Sequence, residues 1–194
     1  MKVAVVGNGP SAEGCGDLID ACDFVVRMKV FWKYAADGAG EKIDAWATFL
    51  DDGREYRGSH ELWVVQTPKQ IFRYDTATER IRDICDAANG QPIRWYTERE
   101  LHIATQCLEA EPSTGFVAVD MALRRFPDCS LCIFGFDSTV PNAPNWEDAK
   151  RHPGGNVSQH SFIEEKRMIS RIDEGEWMCQ PTKAGLIWEN RPEL

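Results

Sequence analysis

Two glycines, an asparagine and a serine stand near the amino terminus in Gly7-Asn-Gly-Pro-Ser-Ala12, directly behind the apolar run Val3-Ala-Val-Val6. This order suits the holding of phosphate. An apolar run of that length fits a strand buried on both faces, as in a parallel sheet covered by helices. Gly7 and Gly9 permit a tight turn and a close approach of backbone to ligand. Pro10 and Ser11 suit the first positions of a helix, whose free N–H groups favour an anion. Turn and helix start are therefore expected to form one phosphate site, with Gly7, Asn8, Gly9 and Ser11 lining it.

Two further groups carry chemistry. In Pro112-Ser-Thr-Gly115 the hydroxyls of Ser113 and Thr114 stand where a helix begins. They can cap it, or they can face a carboxylate or phosphate, and spacing alone leaves both open. His152 and His160 lie in or beside an irregular segment, and Glu164 stands one turn beyond His160, where a carboxylate would orient the imidazole and raise its basicity. His60 and His102 read as surface residues.

The opening motif also matches the dinucleotide fingerprint G-x-G-x-x-A. For NAD an acidic residue should end the second strand, but that strand ends Arg27-Met-Lys29, and Asp23 precedes it. The residues thus favour another nucleotide or phosphate ligand, with Lys29 as a cation at the strand end. An NAD(P)- or FAD-binding oxidoreductase, or a purely structural turn, stands as the alternative. Asp51-Asp52 follows Phe49-Leu50 without D-x-D spacing, so no metal site is expected. Seven cysteines without framework spacing read as buried structural thiols, and the Cys129/Cys132 pair lacks a second ligand pair for a metal.

The elements that must position these groups alternate. Strands are expected over 2–6, 24–28, 43–49, 62–66, 93–96 and 130–135, with a closing strand over 185–188. Helices are expected over 13–22 (Leu18, Ile19 and Cys22 buried), 71–88, 98–108, 116–126 and 162–172. Asn89-Gly90 supplies a helix stop. The alternation predicts an α/β three-layer sandwich with a mostly parallel, Rossmann-like sheet. The 194 residues read as one domain, with a long loop at about 137–158 suited to binding.

A net charge of −9 argues against a nucleic-acid or anionic-membrane binder. No run approaches the length of a membrane span and nothing resembles a signal peptide. With no disulfide framework, a cytoplasmic protein is expected.

Taken together, these motifs resemble a known family. Val3-Ala-Val-Val-Gly-Asn-Gly9, Ile19-Asp20 and Asp23-Phe-Val-Val-Arg-Met28 are similar to the large sialylmotif of the family 29 glycosyltransferases. Pro112-Ser-Thr-Gly115, Ala122-Leu123 and Ile133-Phe-Gly-Phe136 resemble the small sialylmotif, and His160 with Glu165 resembles the very small motif, H-x4-E. The Gly-Asn-Gly-Pro-Ser spelling is also similar to the bacterial family 42 sialyltransferases. The resemblance implies a single glycosyltransferase-like domain with a GT-A-like variant fold. It also implies inverting transfer, without metal or other cofactor, of a sialic or related 2-keto sugar acid from a CMP donor to a hydroxyl of a glycan or glycolipid acceptor. On it, Asn8 contacts the donor's phosphate or ribose, Ser113, Thr114 and Gly115 hold its carboxylate and ribose, and His160 is the base. His152 is the nearest candidate for the third motif's histidine. Two departures stand out: Lys29 replaces an asparagine, and Val3 replaces the cysteine of the motif-linking disulfide. A non-catalytic nucleotide- or glycan-binding module is the second functional reading.

Overall fold

The computed structural model describes residues 1–29, 31, 37–49, 60–72, 76–136, 165, 168, 177–182 and 185–190. Six strands form one parallel sheet: β1 (Lys2–Val6), β2 (Phe24–Met28), β3 (Ala45–Thr48), β4 (Glu61–Val64), β5 (Ile93–Trp95) and β6 (Ser130–Phe134), in the order β5-β4-β3-β2-β1-β6. The helices are α1 (Gly16–Asp20), α2 (Pro68–Phe72), α3 (Ala77–Ala88), α4 (Glu98–Leu108) and α5 (Thr114–Arg125). The expected α/β three-layer sandwich is formed. Among the described residues, no helix is long and apolar enough to cross a membrane.

Strand periodicity builds the layers. Val3, Val5, Val26, Met28 and Trp63 face a cluster completed by Ala104 and Leu108 of α4 and Phe116 to Val119 of α5. Their alternates turn to the opposite face, where Ala4, Val6 and Val25 meet Ile19 of α1, and Trp46, Leu62 and Val64 meet Ile84 of α3. Burying each large aliphatic or aromatic side chain contributes about 1.5–3 kcal/mol.

Local chemistry fixes the element ends. Thr97 and Glu100 form a reciprocal capping box, which starts α4 at its expected residue. Asn89 (φ 46°) and Gly90 (φ 81°) end α3 in left-handed conformations. The single helix expected over 71–88 is two. Thr67 and Gln70 make a second reciprocal box around Pro68, so a separate short helix begins between the strand expected over 62–66 and the helix expected over 71–88. Leu18 is exposed rather than buried, because the short helix α1 turns Ile19, not Leu18, onto β1 and β2. The cysteines were expected as buried thiols, yet of those described only Cys22 is fully buried. The closing strand, β8 (Gly185–Asn190), pairs antiparallel with β7 (Trp177–Thr182) instead of joining the sheet. The helix expected over 162–172 lies outside the described residues, except for Glu165 and Met168, which are helical and buried.

Two buried polar groups hold the motif segments. Arg27, inside β2, donates from Nε to the Lys42 carbonyl (2.8 Å) and from a terminal nitrogen to the Ala39 carbonyl (2.9 Å). Burial pulls its pKa down while Asp20, 3.7 Å away, opposes the shift. Asp20 also accepts the Glu41 and Lys42 amides at 2.9 and 3.0 Å. The motif residues Asp20 and Arg27 are therefore clamps on the 39–42 segment.

The second group lies under α5, where the fully buried Asp120 carboxylate accepts from the Tyr96 hydroxyl and from Arg124 Nε, each at 2.8 Å. Burial pushes the Asp120 carboxyl up, and Arg124 and Tyr96 pull it back. Removing one partner of such a buried ion pair leaves an uncompensated charge. Asp120→Ala is expected to lower stability by about 3–5 kcal/mol, read as a lower urea midpoint; an unchanged midpoint would show that α5 is held without this group.

Candidate functional site

The strand order reverses between β1 and β6. In an open parallel sheet, the crevice beyond the carboxyl ends at such a reversal is where ligands bind. Here it is built from the turn after β1, the residues after β6 and the amino end of α5, whose direction, antiparallel to the strands, brings Ser113 to that edge.

The two strand ends interlock. The Gly7 amide donates to the Phe134 carbonyl (2.7 Å), and the Gly9 amide donates to the Gly135 carbonyl (2.9 Å). A Cβ on Gly7 would lie 2.3 Å from the Gly135 oxygen, so no side chain fits. Phe136 follows. Its ring would meet a Cβ on Gly7 at 3.3 Å and one on Gly115 at 3.0 Å. The opening turn and the Pro112-Ser-Thr-Gly115 segment, a hundred residues apart in sequence, thus meet on either side of one aromatic ring.

Asn8 and Thr114 stand next to those two glycines. Asn8 is 7% exposed and Thr114 is 5% exposed. Asn8 Nδ2 donates to the Met28 carbonyl at the end of β2 (3.4 Å), while its Oδ1 is buried without a protein partner. Thr114 Oγ1 is likewise buried and unpartnered. Unpaired buried polar atoms are costly, so two of them flanking one crevice mark it as a place for a ligand's polar groups.

Ser113 is already engaged. Its amide and its hydroxyl both donate to the Glu165 carboxylate, each at 2.6 Å, and its oxygen caps α5 by accepting from the Phe116 amide at 3.3 Å. Of the two roles open to the Ser-Thr pair, Ser113 fills the capping one, which leaves Thr114 as the hydroxyl available to a ligand. Glu165 is 4% exposed. It fastens its segment to the amino end of α5, a role that sequence spacing alone does not reveal.

Lys29 follows β2 at φ 50°, its amide bonded to the Ala47 carbonyl and its carbonyl accepting from Trp46 Nε1 at 2.6 Å. Its ammonium lies 5.8 Å from the centre of the Phe49 ring. Asparagine adopts this left-handed conformation more readily than lysine does. The helix expected to start at Pro10 and Ser11 is absent. Pro10–Ala12 form a 3-10 turn, Ser11 is exposed, and α1 begins only at Gly16. Pyrophosphate seated on a helix directly behind the glycines, the basis of dinucleotide binding, is therefore not the geometry of this turn. His152, His160, Glu164 and the Asp51-Asp52 pair lie outside the described residues; His60 and His102 are exposed, as expected.

No protein-family model matches the chain, and no curated protein matches it in sequence. Solved structures do match. A mammalian sialyltransferase in complex with Gal-beta-1-3GalNAc-ortho-nitrophenol superposes with a TM-score of 0.60 at 20% identity, over 89% of this chain and 66% of that one. A second structure of a mammalian sialyltransferase gives 0.61, with the same identity and coverage. The fold is that of the sialyltransferases. The chain spans about two thirds of the length of these neighbours, just under that share in each.

Within that fold, Gly135 and Phe136 belong to the site as fully as Gly7 does. The signal for them was the Ile133-Phe-Gly-Phe136 part of the small motif. Two substitutions test the geometry. Gly7→Ala drives a methyl into the Gly135 carbonyl and is expected to cost about 1–3 kcal/mol. Lys29→Asn relieves the left-handed strain and is expected to raise stability by up to about 1 kcal/mol. Chemical denaturation of both variants checks them, and a neutral Gly7→Ala would contradict the close approach of the two turns.

Proposed function

We propose that this chain is an inverting, metal-independent glycosyltransferase. It moves a sialic or related 2-keto sugar acid from a CMP donor to a hydroxyl of a glycan or glycolipid. The single observation that carries this reading is the pair of unpartnered buried atoms, Asn8 Oδ1 and Thr114 Oγ1, at the reversal point of a sheet shared with sialyltransferases. A glycan acceptor agrees with the Gal-beta-1-3GalNAc-ortho-nitrophenol held by one of the structural neighbours.

The chemistry needs two things. The bond between the sugar's anomeric carbon and the phosphate oxygen breaks, and the electron pair leaves with CMP. Hydrogen-bond donors at the crevice stabilise that leaving group; the Gly7 and Gly9 amides are bonded to the chain after β6, so the role falls to the Thr114 hydroxyl and the Lys29 cation. The acceptor oxygen attacks from the opposite face and gives its proton to a base working near neutral pH. His160 is that base in this reading. It precedes Glu165 by five residues, so covalent reach alone keeps it within roughly 18 Å of the residue fastened to Ser113. His152 is the second candidate, on the leaving-group side.

Titration calorimetry tests the donor. Micromolar to millimolar CMP binding without NAD(P) affinity is expected, weakened about tenfold in Asn8→Ala and in Thr114→Val, as for the loss of one buried hydrogen bond each. Dinucleotide binding in place of CMP would overturn the reading. His160→Ala is expected to keep CMP affinity and lose transfer by a factor of ~10² or more; undiminished transfer would remove His160 from the role. A chain that binds CMP but is inert towards every CMP-sugar acid, with every acceptor, would instead be a binding module.

A further inference from the structure

Lys29 stands apart from the other residues of the crevice. Its φ of 50° is one that a lysine holds only at a cost. Two bonds keep it there: the Lys29 amide donates to the Ala47 carbonyl (2.8 Å), and Trp46 Nε1 donates to the Lys29 carbonyl (2.6 Å). Asn8 Nδ2 donates, at 3.4 Å, to the carbonyl of the peptide group that joins Met28 to Lys29, so the lysine backbone stands beside Asn8. The side chain is partly exposed. Among the described residues no carboxylate lies within ion-pair reach of its ammonium, which lies instead 5.8 Å from the centre of the Phe49 ring.

Phe49 follows β3 and packs against the apolar layer of Phe116 and Val117, as Phe136 does. Its ring therefore draws the ammonium to the α5 side of the sheet, the side on which Thr114 opens that helix. Asparagine would hold the left-handed turn with less strain and without charge. Lysine keeps the charge at the expense of strain, which suits this position to an anion brought by a ligand.

We propose that Phe49 is a positioning residue for Lys29, and that the pair makes the crevice selective for a phosphate monoester over the uncharged nucleoside. The inference rests on the CMP reading above and deepens it by naming the side chains that register the phosphate charge. A lysine ammonium is a point charge on a flexible four-carbon stem, and pairing it with a ligand costs rotamer freedom. Contact with an aromatic face spends part of that freedom beforehand and leaves N–H donors for a phosphate oxygen.

The test is titration of the whole chain and of Phe49→Leu, Lys29→Met and the double variant, each with CMP and with cytidine, followed by backbone amide resonances. The unaltered chain is expected to bind CMP about tenfold or more tighter than cytidine, as for a hydrogen bond to a charged group. Lys29→Met should lose most of that preference. Phe49→Leu should weaken CMP about two- to fivefold and leave cytidine unchanged, and in the Lys29→Met chain it should change neither. Equal weakening of CMP and cytidine, or an effect that persists without Lys29, would make Phe49 a packing residue and overturn the proposal. Tighter CMP binding by Phe49→Leu would overturn it too, because the ring would then be withholding the ammonium. The ligand-free chain gives an independent reading. The Phe49 ring current should move the Lys29 ε-methylene protons upfield, and Phe49→Leu should abolish that shift. Its absence from the unaltered chain overturns the pair whether or not CMP binds. With the shift present, failure to bind CMP overturns the donor reading and, with it, the phosphate role of the pair.

Discussion

The backbones of Gly7 and Gly135 lie so close that a methyl group on either would collide with the carbonyl of the other. Gly135 also holds a φ of 70°, which glycine alone adopts without strain. This approach lets β6 return beside β1 and turn away sharply beyond it, carrying Phe136 over both glycine-bearing segments. Without it, the turn after β1 and the amino end of α5 would be separate features of one sheet edge. With it, they are two walls of one crevice, and the buried side chains of Asn8 and Thr114 stand beside them.

A second constraint links chain segments that the sheet does not hold. Glu165 places a carboxylate where Ser113 presents both an amide and a hydroxyl, and two charge-assisted bonds of 2.6 Å follow. Met168, three residues on, is buried in the same apolar layer as Phe116 and Val117. Glu165 is thus bonded to the amino end of the helix whose first turn carries Thr114, and Met168 lies in the apolar layer that this helix helps to form. Ser113 is held by Glu165 and caps α5, and the difference between the two adjacent hydroxyls follows from which of them Glu165 occupies.

Much of this was legible in the residues. The strands are short apolar runs between polar turns, and periodicity finds them because a sheet covered on both faces admits little else. Asn8, Thr114 and the glycines could be singled out because turn chemistry and the resemblance to the sialylmotifs agreed on them. What the residues do not show depends on tertiary contacts. The Thr67–Gln70 box splits the helix expected over 71–88, and its Thr-Pro-Lys-Gln spelling was readable as a helix start. The role of Glu165, by contrast, exists only because α5 and its own segment are packed together. Asp20 and Arg27 looked like parts of a ligand-binding motif, yet their polar atoms are spent on the 39–42 backbone. The missing helix at Pro10 has the same moral: a fingerprint names residue types, while the hydrogen bonds of Gly7 and Gly9 to β6 decide where the chain goes next.

The central claim is that one crevice at the reversal of the sheet takes the nucleotide. It is tested most directly by following backbone amide resonances of the isotope-labelled chain as CMP is added. The largest shifts should fall at Asn8, Gly9, Thr114, Gly115 and Phe136, with little change along β4, β5 and α3. Shifts centred on those distant elements, or none at saturating CMP, would contradict it.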